Sequence, residues 1–196
     1  GSQAEVTDAL VHATKSVTAA SALVTISDSS GTLAATDLSD IGAKTSGAVT
    51  VSNAITISGS QAELTNALVH ATKSVTAATA VVTISDSAYA VSDAKLNASD
   101  LSAIGGKTSG DVTASAAIRM RGTQAEVKAA LIGGDSIIAG AAGTTAEITD
   151  DVSAAEGAEI VDVNNVTGIF EGGVTDAFAS LVTVGGAATT NNVNKI

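Results

Sequence analysis

An internal repeat is the sequence feature that most constrains the fold of this chain. Residues 1–29 match residues 59–87 at 25 of 29 positions, and residues 37–57 match residues 100–120 at 14 of 21. Self-similarity of this kind is typical of repeat proteins, in which each unit buries its apolar face against its neighbours. The predicted units are residues 1–58 (first repeat), 59–121 (second repeat), 122–186 (a divergent third repeat and candidate cap) and 187–196 (a tail).

Composition favours thin layers of small side chains and excludes several classes of function. Aromatic residues make up 2% of the chain, and nine basic against twenty acidic residues give a net charge of −11. This charge repels phosphate backbones and anionic lipid, so we expect no nucleic-acid partner.

The chain has no cysteine, which excludes disulfides and thiolate metal sites. No apolar run approaches the roughly 18 residues of a membrane-spanning helix, so we expect no membrane insertion.

The beginning of the sequence falls inside a repeat unit. It shows neither an initiator methionine nor a signal peptide, and the pair Gly1-Ser2 recurs as Gly59-Ser60. We therefore expect the chain to be a segment of a longer protein.

A capping motif predicts three helix starts. Ser2-Gln3-Ala4-Glu5 recurs at Ser60 and again at Thr123, and a Ser or Thr three residues before Glu is typical of a capping box. Apolar residues at three-and-four spacing follow each cap and predict amphipathic helices. In the first two repeats the predicted stripes are Val6, Ala9, Leu10, Ala13, Val17 and Leu64, Ala67, Leu68, Ala71, Val75; in the third, Gly133-Gly134 ends the helix early.

Short β-branched runs bounded by Ser, Asp and Gly predict strands. The predicted strands are Ser21–Asp28, Thr79–Asp86 and Ala146–Asp151, then Ala48–Val51 with Ala54–Ile57, and Asp111–Ser115 with Ala117–Met120. Second helical segments are predicted around residues 37–41 and 100–104. In the third repeat, Val166, Ile169 and Phe170 stand where the second helix should be, and Ala179–Val184 where its closing strand should be.

Alternation of strands and helices on short connections predicts an α/β fold. Because crossovers are right-handed and the repeats are nearly identical, we predict a repeat solenoid of short parallel strands and helices, with like strands beside like strands. The absence of proline fits central strands. The alternative is an all-β solenoid in which the second helical segments are only short corners.

Three recurring motifs invite a ligand but have simpler structural interpretations. Gly106-Lys107-Thr108 lacks the glycine that a phosphate loop needs five residues earlier, so it reads as a helix stop and turn. His12 and His70 are repeat equivalents without neighbouring ligands, which favours exposed positions on a helix. The third set is Asp28, Asp86 and Asp150, which we interpret as caps or turn formers, with a calcium row as the alternative.

No catalytic constellation is evident, so we expect neither enzymatic activity nor a cofactor. The second repeat carries five extra residues, in Ala88–Ser99 against Ser30–Thr36 in the first. Insertions in repeat proteins collect in loops on one face, which is often the binding face. Tyr89 lies in this insertion and is the candidate contact residue.

The phrases VTISDS, DLSAIGGKTSG and ISGSQAELTNALV resemble the units of long alanine- and threonine-rich repeat proteins of bacterial surfaces and phage virions, including those of cyanobacteria and their phages. The resemblance covers most of residues 1–120. It implies a segment of an extracellular or virion-attached fibre, stalk or adhesin, and it supplies no catalytic residues.

The first functional hypothesis is a structural one, a spacer or weakly adhesive stalk whose partners are the neighbouring repeats of the same chain. The alternative is a module that binds a host or cell-surface glycan or receptor through the loop Ala88–Ser99. Ice binding is a third reading, but the sequence shows no regular Thr-x-Thr rows on one face. The oligomeric state is not predicted.

Overall fold

Short helices alternate with short strands along the chain. The computed structural model describes residues 1–12, 17–72, 75–87, 95–133, 138–139, 143–163 and 166–175. The helices are α1 (Gln3–Leu10), α2 (Ala35–Gly42), α3 (Gln61–Leu64, continued by a π-helical turn over Thr65–Val69), α4 (Ala98–Gly105), α5 (Gln124–Leu131) and α6 (Ala154–Val161). The strands are β1 (Val24–Ile26), β2 (Thr32–Ala34), β3 (Val49–Val51), β4 (Thr56–Gly59), β5 (Val75–Thr76), β6 (Val81–Ile84), β7 (Leu96–Asn97), β8 (Val112–Ala114), β9 (Arg119–Gly122), β10 (Ile138–Ala139), β11 (Thr144–Ile148) and β12 (Val166–Phe170).

These elements confirm the α/β class. The second helical segments of the first two repeats are the eight-residue helices α2 and α4 rather than corners, which argues against the all-β alternative. None of the helices in the described ranges has the length and apolarity needed to cross a membrane.

Four of the described helices begin with the same arrangement of side chains, a capping box. In α1 the Ser2 hydroxyl accepts a hydrogen bond from the Glu5 N–H, and the Glu5 carboxylate accepts one from the Ser2 N–H. The starts of α3 and α5 repeat it at Ser60 and Thr123, so the three predicted helix starts are confirmed. A fourth box, at Ser153, was not predicted, although its Ser-Ala-Ala-Glu sequence has the same spacing.

The carboxylates of these boxes should make stability depend on pH. Hydrogen bonds from the Ser2 backbone and then its hydroxyl hold the pKa of Glu5 below its ordinary value, and Ser153 lowers the pKa of Glu156 in the same way. Because the folded pKa is the lower one, this stabilisation is present above the ordinary pKa of 4.5 and is lost as the pH falls through the folded pKa. We expect the urea midpoint to drop between about pH 5 and about pH 3. Glu156→Gln should make that drop smaller, and an equal drop in the variant would contradict the assignment.

In the first two repeats, the first helix is shorter than the predicted apolar stripe. α1 ends at Leu10, so Val17 lies outside it and is 55% exposed. The helical turns of the second repeat end at Val69, and Val75 is instead buried in β5. A helix of eight residues is about 12 Å long and a strand of four about 13 Å, so a longer helix would overrun the strands that it covers. Ala13 lies outside the described residues.

The described strands form three parallel sheets. The first has the order β1-β3-β5, the second contains β2-β4-β6-β8, and the third has the order β7-β9-β11-β12. In the first sheet Val24 pairs with Val49, and Val49 pairs with Val75. One strand and one helix lie between such partners along the chain, as β2 and α2 lie between β1 and β3. We call this period of two strands and one helix the half-repeat. In the third sheet Thr144 pairs with Val166, and α6 lies between their strands.

This pairing corrects the expectation that like strands lie beside like strands. The repeat-equivalent strands β1 and β6 belong to the first and the second sheet, and β2 and β7 to the second and the third. The unit that pairs is therefore the half-repeat and not the sequence repeat. A parallel connection needs only about a dozen residues with a helix, and the half-repeat already supplies them. The missed signal is Val-Thr, which recurs at positions 24, 49 and 75, in the three strands of the first sheet.

The third repeat departs from the prediction. Val166–Phe170, where a helix was predicted, is the strand β12, and the helix α6 lies earlier, at Ala154–Val161. Burial alternates from residue to residue here, as it does in a strand, because Val166 and Gly168 are buried while Thr167 and Ile169 are exposed. The predicted strand Ala179–Val184 and the tail 187–196 lie outside the described residues. The predicted strand at Ala146–Asp151 is confirmed as β11, which begins two residues earlier.

The core consists of single apolar residues contributed in turn by strands and helices. The largest of the fully buried side chains are Ile26, Leu38, Ile41, Ile57, Leu64, Ile84, Leu101, Ile104, Ile118, Met120 and Ile148. Two glycines let strands pass close over helix starts. A Cβ on Gly59 would lie 2.8 Å from the Cβ of Ala35, and one on Gly122 would lie 2.9 Å from the Cβ of Ala98.

The chain divides into two compact units. The first contains residues 1–86 and 103–113, and the second contains residues 87–102 and 114–196. The first sheet lies in the first unit and the third sheet in the second unit.

Candidate functional site

The recurring aspartates cap helices, though not the helices that follow them. The Asp28 carboxylate accepts a hydrogen bond from the Gln3 N–H at 2.6 Å, and Gln3 is the first residue of α1. Asp86 accepts the equivalent bond from Gln61, and Asp150 the bond from Gln124, each at 2.6 Å. Each aspartate therefore caps the helix that begins one half-repeat earlier in the chain. The prediction of a capping role is confirmed, and the capped helix is the preceding one.

Removing one of these caps should cost measurable stability. Asp86→Ala leaves the Gln61 N–H without its acceptor, and we expect the free energy of unfolding to fall by about 1 to 2 kcal/mol. The matched control is Asp111→Ala, because Asp111 is exposed and the first repeat carries Ala48 at that position. Urea denaturation of both variants measures the difference. Equal stability of the two variants would contradict the capping role.

The remaining motifs do not assemble into a metal or phosphate site. His12 and His70 are exposed and lie just after the helical turns of their repeats. The described ranges contain no group of three or more His, Cys, Asp or Glu side chains that could hold a metal ion. Thr108 donates its hydroxyl hydrogen bond to the Ala80 carbonyl oxygen and accepts one from the Gly110 N–H. This segment is thus the predicted turn after a helix, tied to a neighbouring strand.

The structure describes only the last part of the insertion of the second repeat, from Lys95 onward. Tyr89 and the rest of residues 88–94 lie outside the described residues. Lys95 to Ser99 are described, and they contain the strand β7 and the first two residues of α4. The loop predicted over Ala88–Ser99 is therefore wrong for Leu96 to Ser99.

A charged cluster lies on the outer face of the third sheet, and its centre is Glu147. The Glu147 side chain is 1% exposed and forms ion pairs with Arg119 and, at 2.5 Å, with Lys95 Nζ. Arg121 Nε lies 3.8 Å from Glu147 Oε2. This oxygen has no aligned hydrogen-bond donor, so ion-pair contact alone holds it. A buried carboxylate is stable only with such partners, which makes the cluster a single interdependent set.

A second carboxylate lies at the edge of the cluster. Arg121 Nη2 donates to Glu171 Oε2 at 2.6 Å, and Lys95 Nζ lies 3.8 Å from Glu171 Oε1. The hydrogen bond from Arg121 holds the pKa of Glu171 below its ordinary value, and Glu171 in turn raises the pKa of Arg121. Glu171 is 36% exposed, so solvent screens this pair far more than it screens Glu147.

The charged cluster replaces a set of hydroxyl groups. By repeat alignment, the second sheet carries Thr32, Thr56, Ser58 and Thr83 where the third sheet carries Lys95, Arg119, Arg121 and Glu147. The inward-facing neighbours stay apolar in both sheets, for example Leu33 and Leu96. Four outer positions have therefore changed together while the core has not.

A cleft of about 420 Å³ adjoins the charged cluster, at the C-terminal ends of β7, β9 and β11. Its lining residues are Lys95, Leu96, Asn97, Arg121, Gly122, Glu126 and Thr149. The lining combines two cations, one carboxylate, one amide and one hydroxyl. Such groups can bind an anionic ligand that also carries hydroxyl groups.

A contact region was predicted in the insertion of the second repeat, but the charged cluster was not predicted from the sequence. The signal was the difference between repeats: Thr56-Ile57-Ser58 against Arg119-Met120-Arg121. In the comparison of residues 37–57 with residues 100–120, the first two of these differences counted only as mismatches.

Comparison with protein-family models, with curated proteins and with solved structures gives no match for this chain.

Proposed function

We propose that the chain is a non-enzymatic structural segment of a long repeat protein, in which half-repeats stack as an α/β solenoid. The observation that carries the proposal is the strand pairing, which is parallel in all three sheets and, except between β11 and β12, joins strands one half-repeat apart. Such a pairing can continue through any number of copies, because each half-repeat adds one strand to a sheet and leaves another edge.

The first strand supports continuation at the N-terminal side. The Gly1 carbonyl accepts a hydrogen bond from the Ser27 N–H, as the Gly59 carbonyl accepts one from Ser85, each at 2.9 Å. Gly59 is the last residue of β4, which pairs with β6. Gly1 therefore lies where the last residue of a strand paired with β1 would lie. Leu23, the residue before β1, is 81% exposed, and such a strand would cover it.

The role that follows is a spacer or weakly adhesive stalk. The resemblance to repeat proteins of bacterial surfaces and phage virions supports a position outside the cell or on a virion. The net charge of −11 fits a solvated, non-aggregating surface along such a stalk.

Extension by one repeat tests the proposal. A second copy of residues 1–58 placed before Gly1 recreates the native junction, because Ser58 is followed by Gly59-Ser60-Gln61 as it would be by Gly1-Ser2-Gln3. Two added half-repeats at a strand spacing of about 4.8 Å should lengthen the particle by about 10 Å in small-angle X-ray scattering. A separate globule formed by the added copy would lengthen it by about 25 Å instead, and that result would contradict stacking.

The charged cleft favours a second candidate function, a module that binds a glycan or receptor through the region Ala88–Ser99. Lys95, Leu96 and Asn97 belong to that region and line the cleft. Deleting residues 89–93 gives the second repeat the connection length of the first. We expect this deletion to reduce binding to cells or to a glycan array. Unchanged binding would count against this function.

A further inference from the structure

We infer that the cleft beside Lys95 and Arg121 is a binding site for a saccharide that carries a carboxylate. The inference rests on the second proposed function and names its ligand class. Arg121 pairs with Asn97 across two neighbouring parallel strands, and Lys95 lies two residues before Asn97, so the backbones of Lys95 and Arg121 are about 8 Å apart on a diagonal. Their long side chains converge from this distance, because both reach the carboxylate of Glu171.

Lys95 and Arg121 already contact one carboxylate within the protein, that of Glu171. Glu171 places one oxygen 2.6 Å from Arg121 Nη2 and the other 3.8 Å from Lys95 Nζ. Its side chain is 36% exposed, and no core packing fixes it there. A ligand carboxylate that enters from the cleft can take the place of Glu171 on Arg121, while Glu147 keeps Lys95 and Arg119 in position.

The rest of the lining favours a saccharide over a peptide. Leu96 is its single large apolar residue and is itself 8% exposed, so the cleft offers little apolar area to the side chains of a peptide. Thr149 instead brings a hydroxyl and Glu126 a carboxylate, and these groups suit sugar hydroxyls. Glu126 Oε2 also accepts a hydrogen bond from the Thr123 N–H, and Asn97 Oδ1 accepts two from Ser99. A volume of about 420 Å³ is within the usual range of ligand sites.

The charge of the chain is compatible with a small acidic ligand. Fields from charges more than about 8 Å away are largely screened at physiological ionic strength, so the groups around the cleft decide the attraction. Lys95, Arg119 and Arg121 there face Glu147, Glu171 and Glu126, so a ligand carboxylate gains by replacing Glu171 on Arg121. A long polyanion would meet the remaining surface as well, and the net charge of −11 repels it.

The test measures binding of trigalacturonate to the full chain by calorimetry and by NMR shift perturbation, with maltotriose as the neutral probe. We expect saturable binding of trigalacturonate and none of maltotriose. Arg121→Ser, which installs the residue found at Ser58 in the first repeat, should weaken binding by at least about tenfold, the loss expected for one charge-assisted hydrogen bond. Lys128→Ser is the matched control, because Lys128 pairs with Glu159 outside the cleft, and its affinity should not change.

Glu171→Gln separates ligand binding from a purely structural ion pair. This variant removes the internal competitor for Arg121, so the affinity for trigalacturonate should rise several-fold. Absence of binding to the folded wild-type chain, equal binding of maltotriose, or an unchanged affinity in Arg121→Ser would each overturn the inference. Equal affinity for a tripeptide with a free carboxylate would overturn the saccharide class. The scattering test of stacking uses no ligand, so the structural function can stand or fail separately.

Discussion

Replacing Lys95 and Arg119 together with threonine should lower the free energy of unfolding by about 3 kcal/mol. In the native chain the Glu147 side chain is 1% exposed, and the two substitutions leave its carboxylate with only the 3.8 Å contact to Arg121. Breaking a buried ion pair by removing one side of it costs about 3 to 5 kcal/mol, because a buried charge is left uncompensated. The lower end applies here, since the Lys95 and Arg119 side chains are 32% and 30% exposed and solvent screens them. Urea denaturation measures the loss.

The second sheet supplies the template for restoring the stability of this variant. Adding Arg121→Ser and Glu147→Thr completes the hydroxyl set Thr32, Thr56, Ser58 and Thr83 that the second sheet already carries. This fourfold variant has no buried charge at the cluster, and we expect it to recover most of the lost stability. A fourfold variant less stable than the double variant would contradict the interpretation of the charged cluster as one interdependent set.

Residues 1–58 expressed alone should show no cooperative thermal transition. Without the residues that follow, β3 loses its neighbour β5 and β4 loses β6, so Val49 and Ile57 become exposed on one side. A segment of about 60 residues buries only about 60% of the surface that its unfolded chain exposes, so its stability is marginal, and stacked repeats derive much of their stability from the interfaces between neighbours. Circular dichroism during heating measures the transition.

Two longer chains serve as controls for this result. Residues 1–113 contain the whole first unit and should melt cooperatively. The chain extended by a second copy of residues 1–58 should melt at a higher temperature than the chain without it, because one more interface is gained. If residues 1–58 melted at the same temperature as the full chain, the stacking proposal would be lost, and the stalk function with it.

The sequence predicted the local structure well where side chains act on their own neighbourhood. Ser2, Ser60 and Thr123 define their helix starts through bonds to a residue three positions away, so the motif is sufficient evidence. The strands around Val24 and Val81 and the helices around Leu38 and Leu101 also follow from local alternation and spacing.

The pairing of strands could not be predicted in the same way. Near identity between residues 1–29 and 59–87 suggested that these copies pair, yet β1 pairs with β3 and β6 with β4. Sequence identity shows that two segments fold alike, whereas parallel pairing depends on the length of the connection. The cleft could not be predicted from the sequence either, because its lining residues come from four separate elements, at β7, β9, α5 and the end of β11.

The bonds from Asp28, Asp86 and Asp150 to earlier helices have a consequence for biosynthesis. A ribosome releases Gln61 well before Asp86, so α3 lacks its acceptor until the whole of the next half-repeat has emerged. At about 5 to 20 residues per second this interval is about 1 to 5 s. The first N–H group of each of these helices thus gains its aspartate acceptor only after later residues have been synthesised. Structure therefore forms in one direction, from the N-terminus toward the C-terminus.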